Sequence, residues 1–68
     1  MFHTEFYANR IAMLESEIKR KKMIASLIFS PSKLCQSRAR AAIRRINVLH
    51  SQIASIEAAA AQEAAMDA

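Results

Sequence analysis

The sequence predicts an all-α protein, an antiparallel hairpin of two helices joined by one short turn. The 68 residues include no glycine and a single proline, Pro31, and 53% of them are hydrophobic, with many alanines. Alanine is the best helix former, and tight turns between β-strands generally need glycine. Large apolar residues also recur on both sides of Pro31 in steps of three and four, which is the spacing of a coiled-coil seam.

The first helix is predicted from about residue 4 to residue 29. Thr4 is a suitable N-cap, and Glu5 lies in the first turn, where a negative charge is favourable. The apolar series of this helix is Tyr7, Ile11, Leu14, Ile18, Ala25 and Ile28. Lys21 is the one interruption, and its methylenes can lie along the seam while its ammonium group stays in water.

The segment SPS at 30–32 predicts the turn. Because a residue before proline is disfavoured in the α region, Ser30 ends the first helix. Ser30 as N-cap and Pro31 at the first helical position then predict a second helix over about 31–60, followed by a fraying alanine-rich tail over 61–68. The apolar series of the second helix is Cys35, Ala39, Ala42, Ile46, Leu49, Ile53, Ile56 and Ala60.

The two series fit one antiparallel register. When the chain is folded at Pro31, the residue numbers of each facing pair sum to 63 or 64, from Ile28 with Cys35 to Tyr7 with Ile56. The layers near the open end of the hairpin are large and aliphatic, whereas those near the turn are alanines. The small layers predict either a close approach of the two backbones or a groove.

The hairpin has one seam, and many of its apolar residues lie off it. A chain this short is only marginally stable alone, and its single cysteine, Cys35, cannot form an internal disulfide. We therefore expect oligomerisation, most simply a symmetric homodimer that forms a four-helix bundle. The residues assigned to the dimer interface are Phe2, Phe6, Met13, Ile43 and Val48.

The basic residues are concentrated at the turn end. Nine of the ten lie between Lys19 and Arg45, an interval that contains no acidic residue. Glu17 and Lys21 have the i,i+4 spacing of a helical ion pair, but the arginines of the second helix have no such partner. This charge forms either solvated helix faces or a binding surface. The basic residues assigned to partner binding are Lys19, Arg20, Lys22, Lys33, Arg38, Arg40, Arg44 and Arg45.

A protein partner with an acidic surface is the preferred interpretation of this end. Protein interfaces combine apolar anchors with a polar rim, and charges on the rim steer the encounter. The apolar residues assigned to partner binding are Met23, Ile24, Leu27 and Phe29. An alternative is that the homodimer buries these same residues.

Nucleic acid is the alternative partner, because clustered cations attract phosphate and small RNA-binding hairpin dimers of the Rop type share this plan. Phe29 is the one aromatic residue in the basic interval, so base stacking has little support. A membrane surface is disfavoured, because inserting Ala25 and Ile28 would break the seam. No apolar segment reaches the ~20 residues of a membrane span, and no signal peptide is evident, so a cytoplasmic protein is expected.

Enzymatic activity is not expected. The sequence has no glycine-rich phosphate loop, no nucleophile and base with a scaffold to hold them, and no spacing of residues typical of a metal site. Cys35 is interpreted as a small apolar seam residue, and His50 as a half-exposed residue beside the seam. No cofactor is therefore expected.

The predicted hairpin has no glycine, is rich in alanine and arginine, and has a heptad seam over Tyr7 to Ile28 and Cys35 to Ala60. In these features it resembles a group of small phage proteins. These are helical-hairpin dimers that inhibit host regulators, including an anti-quorum-sensing inhibitor that binds a transcription factor. The resemblance covers most of the chain and lies in architecture alone. It implies an inhibitor or adaptor that docks on a host protein in the host cytoplasm.

Overall fold

The computed structural model describes residues 4–67, which form two helices and a connecting turn, with no strand in this range. Helix α1 spans Thr4–Ala25 and continues as a short 3-10 helix over Ser26–Phe29, and α2 spans Lys33–Asp67. The helices pack along each other in a flat rod of 54 × 15 × 11 Å. The predicted all-α hairpin is confirmed. Neither helix is long and apolar enough to cross a membrane.

The predicted seam is the interface between the helices. Leu49 and Ala39 are completely enclosed, and every other described member of the two series is at least partly buried. The core cluster consists of Leu14, Ile18, Leu49 and Ile53, flanked by Ile11, Ile46 and Ile56. The core cluster therefore lies in the aliphatic layers towards the open end, while Ala39 and Ala42 are also buried in the alanine layers near the turn.

The start of α2 differs from the predicted one. The backbone N–H of Cys35 donates to Ser32 Oγ at 3.4 Å, and the N–H of Gln36 donates to the Ser32 carbonyl at 3.0 Å, so Ser32 caps the helix instead of Ser30. Ser30 is extended (φ −71°, ψ 146°), as expected before a proline, and its Oγ accepts from the Ser32 N–H at 3.2 Å. Because the proline belongs to this turn, α2 begins at Lys33.

The last turn of the first helix winds more tightly than predicted. In the 3-10 helix Ser26–Phe29, the N–H of Ser30 donates to the Leu27 carbonyl at 2.9 Å, the i→i+3 bond of this helix type. Three residues per turn keep Ile28 half-buried towards the seam and direct Phe29 into solvent, where it is 90% exposed.

A hydrogen bond joins the two helices at the open end of the hairpin. The Tyr7 hydroxyl donates to Oε2 of Glu63, 56 positions further along the chain, at 2.6 Å. Helical side chains point towards the N-terminus of their own helix. Tyr7 therefore points towards the open end and Glu63 points back towards the turn, so the two meet although Tyr7 was predicted to face Ile56. This contact gives a tertiary partner to the segment predicted to fray, and α2 continues to Asp67.

The same hydrogen bond changes the acidity of the phenol. The bond to Glu63, followed by desolvation and the charge of the carboxylate, raises the pKa of Tyr7. Because the folded pKa lies above the ordinary value, this contribution to stability is complete below the ordinary tyrosine pKa and is lost as the pH rises through the folded pKa.

The two broad sides of the rod differ in composition. On one side, which we call the apolar face, residues follow each other in steps of four and three along each helix. In α1 they are Phe6, Arg10, Met13, Glu17, Arg20 and Ile24, and in α2 they are Leu34, Arg38, Ala41, Arg45, Val48, Gln52, Ser55, Ala59, Gln62 and Met66. The two stripes lie on the same side of the rod. Glu17 of the first stripe forms an ion pair with Arg45 of the second, and two shallow grooves between the helices are each lined by residues of both stripes.

The opposite side, which we call the charged face, has a third groove between the helices. Its lining residues are Glu15, Ile18, Lys19, Lys22, His50 and Ile53. Ile43 lies one heptad before His50 and so belongs to this face. The hairpin therefore presents one side rich in large apolar side chains and one side that is mostly polar.

Candidate functional site

The candidate binding site is the turn end, where the structure brings the basic stretch of α1 beside the start of α2. Its four predicted apolar residues do not form a single cluster. Met23 and Phe29 are the most exposed of the four, at 75% and 90%. Ile24 lies on the apolar face at 36% exposure, and Leu27 is half-buried.

A local hydrogen bond and a 3-10 helix shape the backbone around Met23 and Phe29. Ser26 lies between them in the chain and its Oγ donates to the Met23 carbonyl at 2.6 Å, and the 3-10 winding over Ser26–Phe29 leaves Phe29 exposed. We call Met23 and Phe29 the tip pair. Single exposed apolar side chains are common, but two within one basic segment make this end a candidate interaction surface.

All eight basic residues predicted to bind a partner are exposed. They do not form one stripe: Lys19 and Lys22 line the groove of the charged face, whereas Arg38 and Arg45 line a groove of the apolar face. Lys21, the interruption of the seam, is half-buried beside Ala42 in that second groove. The cations therefore surround the turn end as a collar.

One of these cations has a partner that the sequence reasoning did not assign. Arg45 Nε donates to Glu17 Oε2 at 3.0 Å across the hairpin, with the two side chains 45% and 27% exposed. The sequence prediction concerned only i,i+4 partners within one helix, of which Arg45 has none, and an interhelical pair does not show up in that spacing. Glu17 had been paired with Lys21, which contributes only a weaker electrostatic attraction.

The ion pair makes stability depend on acidity. The hydrogen bond from Arg45, aided by its charge and by those of Lys21 and Arg20, lowers the pKa of Glu17. A lowered folded pKa gives stability that is present above the ordinary glutamate pKa and lost as the pH falls through the folded value. We expect Glu17→Gln to remove this part of the acid sensitivity.

Urea denaturation of both proteins at pH 7 and pH 3, at one protein concentration, measures this effect. The loss of stability between the two pH values should be smaller in Glu17→Gln than in the parent chain. Glu15→Gln is the matched control, since Glu15 is an exposed glutamate of the same helix on the charged face. An equal acid sensitivity in parent and Glu17→Gln would contradict the assignment.

The residues predicted for a dimer interface are divided between the two faces. Phe6, Met13 and Val48 share the apolar face, at 64%, 65% and 46% exposure, whereas Ile43 lies on the charged face. Phe2 lies outside the described residues. The sequence reasoning missed Leu34 and Met66, which are 64% and 81% exposed on the apolar face. For Leu34 the signal was its seven-residue spacing from Ala41 and Val48.

The described residues offer little that supports covalent or metal chemistry. Within residues 4–67, no group of three His, Cys, Asp or Glu side chains is placed to hold a metal ion. Cys35 is a free, half-buried thiol near the turn, and His50 is exposed in the groove of the charged face. No protein-family model, curated protein or solved structure matches the chain. The proposed function therefore rests on the exposed side chains of the hairpin.

Proposed function

We propose that this chain is a small non-enzymatic binding protein, an inhibitor or adaptor, that docks as a homodimer on an acidic surface of a host protein. The observation that carries the proposal is the tip pair, with Phe29 90% and Met23 75% exposed inside a collar of cations. Phenylalanine and methionine anchors with a polar rim are what a protein-binding surface requires.

The basic collar supplies orientation and speed of association. Lys19, Arg20 and Lys22 precede the tip pair on the same helix, and all three are exposed. Positive charge on the rim steers the turn end towards a negative surface and adds less to the lifetime of the complex than the apolar anchors do. The charge also makes association slower at high salt, because exposed charges are screened over about 10 Å at 0.1 M.

Binding of RNA or DNA is the second candidate, and a separate observation favours it. Arg40 and Arg44 are exposed on the outer side of α2, and within residues 4–67 neither forms an ion pair. Such cations release counterions when they contact phosphate, which makes binding steeply dependent on salt. In this alternative the collar carries the affinity and the tip pair is incidental.

The two functions are separated by affinity capture from nuclease-treated host lysate with the full chain as bait. We expect a protein that is enriched by the parent chain, lost with the double variant Met23→Ala and Phe29→Ala, and retained with Ile43→Ala. Ile43 is the matched control because it is an apolar residue outside the tip pair, on the charged face. Truncation of a hot-spot anchor typically costs about 2 kcal/mol or more, which is about 30-fold in affinity.

A companion variant, Arg40→Glu with Arg44→Glu, tests the charge. For a protein partner this change should slow association, and the complex that forms should persist. If nuclease treatment removes all captured material and the arginine variant abolishes binding of labelled RNA or DNA, the second candidate replaces the first.

A further inference from the structure

The apolar face carries six of the nine exposed large apolar side chains of the described residues. These six are Phe6, Met13, Ile24, Leu34, Val48 and Met66. They extend from the turn end to the open end along a broad side of 54 by 15 Å. The projected area of this side is of the same order as the ~800 Å² of accessible surface that each partner buries in a standard specific interface. Because the hairpin has one seam and a small buried core, covering the apolar face would add the apolar burial that a domain of this size lacks.

We propose that a second copy of this chain covers the apolar face and lies antiparallel to the first, with its turn end beside the open end of the other. This assignment rests on the homodimer of the proposed function and specifies its face and orientation. The two chains would then form a four-helix bundle whose charged faces and tip pairs remain on the outside.

Charge decides the orientation. Nine of the ten cations lie between Lys19 and Arg45, and the acids Glu5, Glu57, Glu63 and Asp67 lie towards the open end. A parallel dimer would bring the two basic collars together, and like charges at close range are repulsive. An antiparallel dimer brings each collar to the acidic end of the other chain, so it is the arrangement with complementary charge.

The apolar side chains are also distributed in a self-complementary way. Large residues lie at the turn end, at the middle and at the open end of the face. Antiparallel stacking places Ile24 near the partner's Phe6 and Leu34 near the partner's Met66. The offsets between the two chains that these pairs require along the rod differ by no more than about one helical turn, ~5 Å. Met13 and Val48 then lie near the two-fold axis, each close to its own copy, as a symmetric interface requires.

A pair of charge substitutions tests which face is covered. Val48→Glu buries two like charges near the two-fold axis, and we expect it to weaken dimerisation at least about 100-fold in sedimentation equilibrium. Ile43→Glu is the matched control, because Ile43 is a β-branched residue of the same helix, at 39% against 46% exposure, on the charged face. It should leave the dimer unchanged, and circular dichroism verifies that both variants remain helical.

A distance measurement tests the orientation. Ser37 is exposed near the turn end, and a spin label at Ser37→Cys, in a Cys35→Ser background, reports the separation of the two turn ends. At a rise of 1.5 Å per residue, the antiparallel dimer predicts about 40 Å between the labels, and a parallel dimer predicts less than about 25 Å.

The outcomes keep this inference separate from the proposed function. If Ile43→Glu disrupts the dimer and Val48→Glu does not, the assigned face is wrong. If the label distance is short, the assigned orientation is wrong. Either result leaves docking through the tip pair standing. A parent chain that remains monomeric at about 100 µM overturns the dimer itself. Loss of docking in the tip-pair variant with an intact dimer concerns the proposed function alone.

Discussion

Replacing Leu49 with alanine is expected to lower the free energy of unfolding by about 2–5 kcal/mol. Leu49 is the largest side chain that is fully enclosed, and it lies in the core cluster with Leu14, Ile18 and Ile53. Removing its isobutyl group forfeits the transfer free energy and leaves a cavity that two rigid helices cannot fill. In so small a domain this loss is a large fraction of the total stability.

Urea denaturation followed by circular dichroism measures the change, at a single protein concentration because the proposed dimerisation would make stability depend on concentration. Ile43→Ala is the matched control, since Ile43 is 39% exposed on the charged face of the same helix. Its expected cost is about 1 kcal/mol or less. Equal stability of Leu49→Ala and the parent chain would show that the predicted layers do not form the core.

Enlarging Ala39 to leucine is expected to destabilise the hairpin by about 1–3 kcal/mol through overpacking. Ala39 has no exposed surface, although its side chain is a single methyl group, so other atoms of the hairpin cover it completely. The seam must open to admit a leucine, and the strain would extend into the neighbouring layer at Ala42, which is 5% exposed.

The control for this substitution is Ala58→Leu, which makes the same chemical change at an exposed position of α2. Its effect should stay within about 0.5 kcal/mol. Thermal unfolding of the two variants and the parent, again at matched concentration, provides the comparison. A higher melting temperature for Ala39→Leu would mean that the alanine layers enclose a void, with room for a larger side chain.

The seam was predictable because it depends on spacing alone. Steps of three and four on both sides of one proline determine which side chains face inwards, and burial of Leu14, Ala39 and Leu49 follows from them. The details of the turn were not predictable in the same way. Ser30 and Ser32 both flank the proline and both suit an N-cap, so sequence preference alone does not choose between them.

The surface was less predictable than the seam. The ion pair of Glu17 with Arg45 depends on which sides of the two helices are adjacent, and this needs the register and the rotation of each helix together. The position of Phe29 depends on a change from α to 3-10 winding over Ser26–Phe29, a segment that contains no glycine or proline. For these reasons the sequence predicted a basic end with apolar residues, but not the separation of its tip pair from Ile24 and Leu27.

The bond between Tyr7 and Glu63 gives the protein a built-in spectroscopic probe. Tyr7 is the only tyrosine in a chain without tryptophan, so its ultraviolet signal belongs to one place, the end farthest from the turn. A hairpin that forms outwards from its turn makes this contact last, because closing a longer loop costs more entropy. Ultraviolet titration of the phenol therefore distinguishes a completely zipped hairpin, with its raised pKa, from one whose ends have separated.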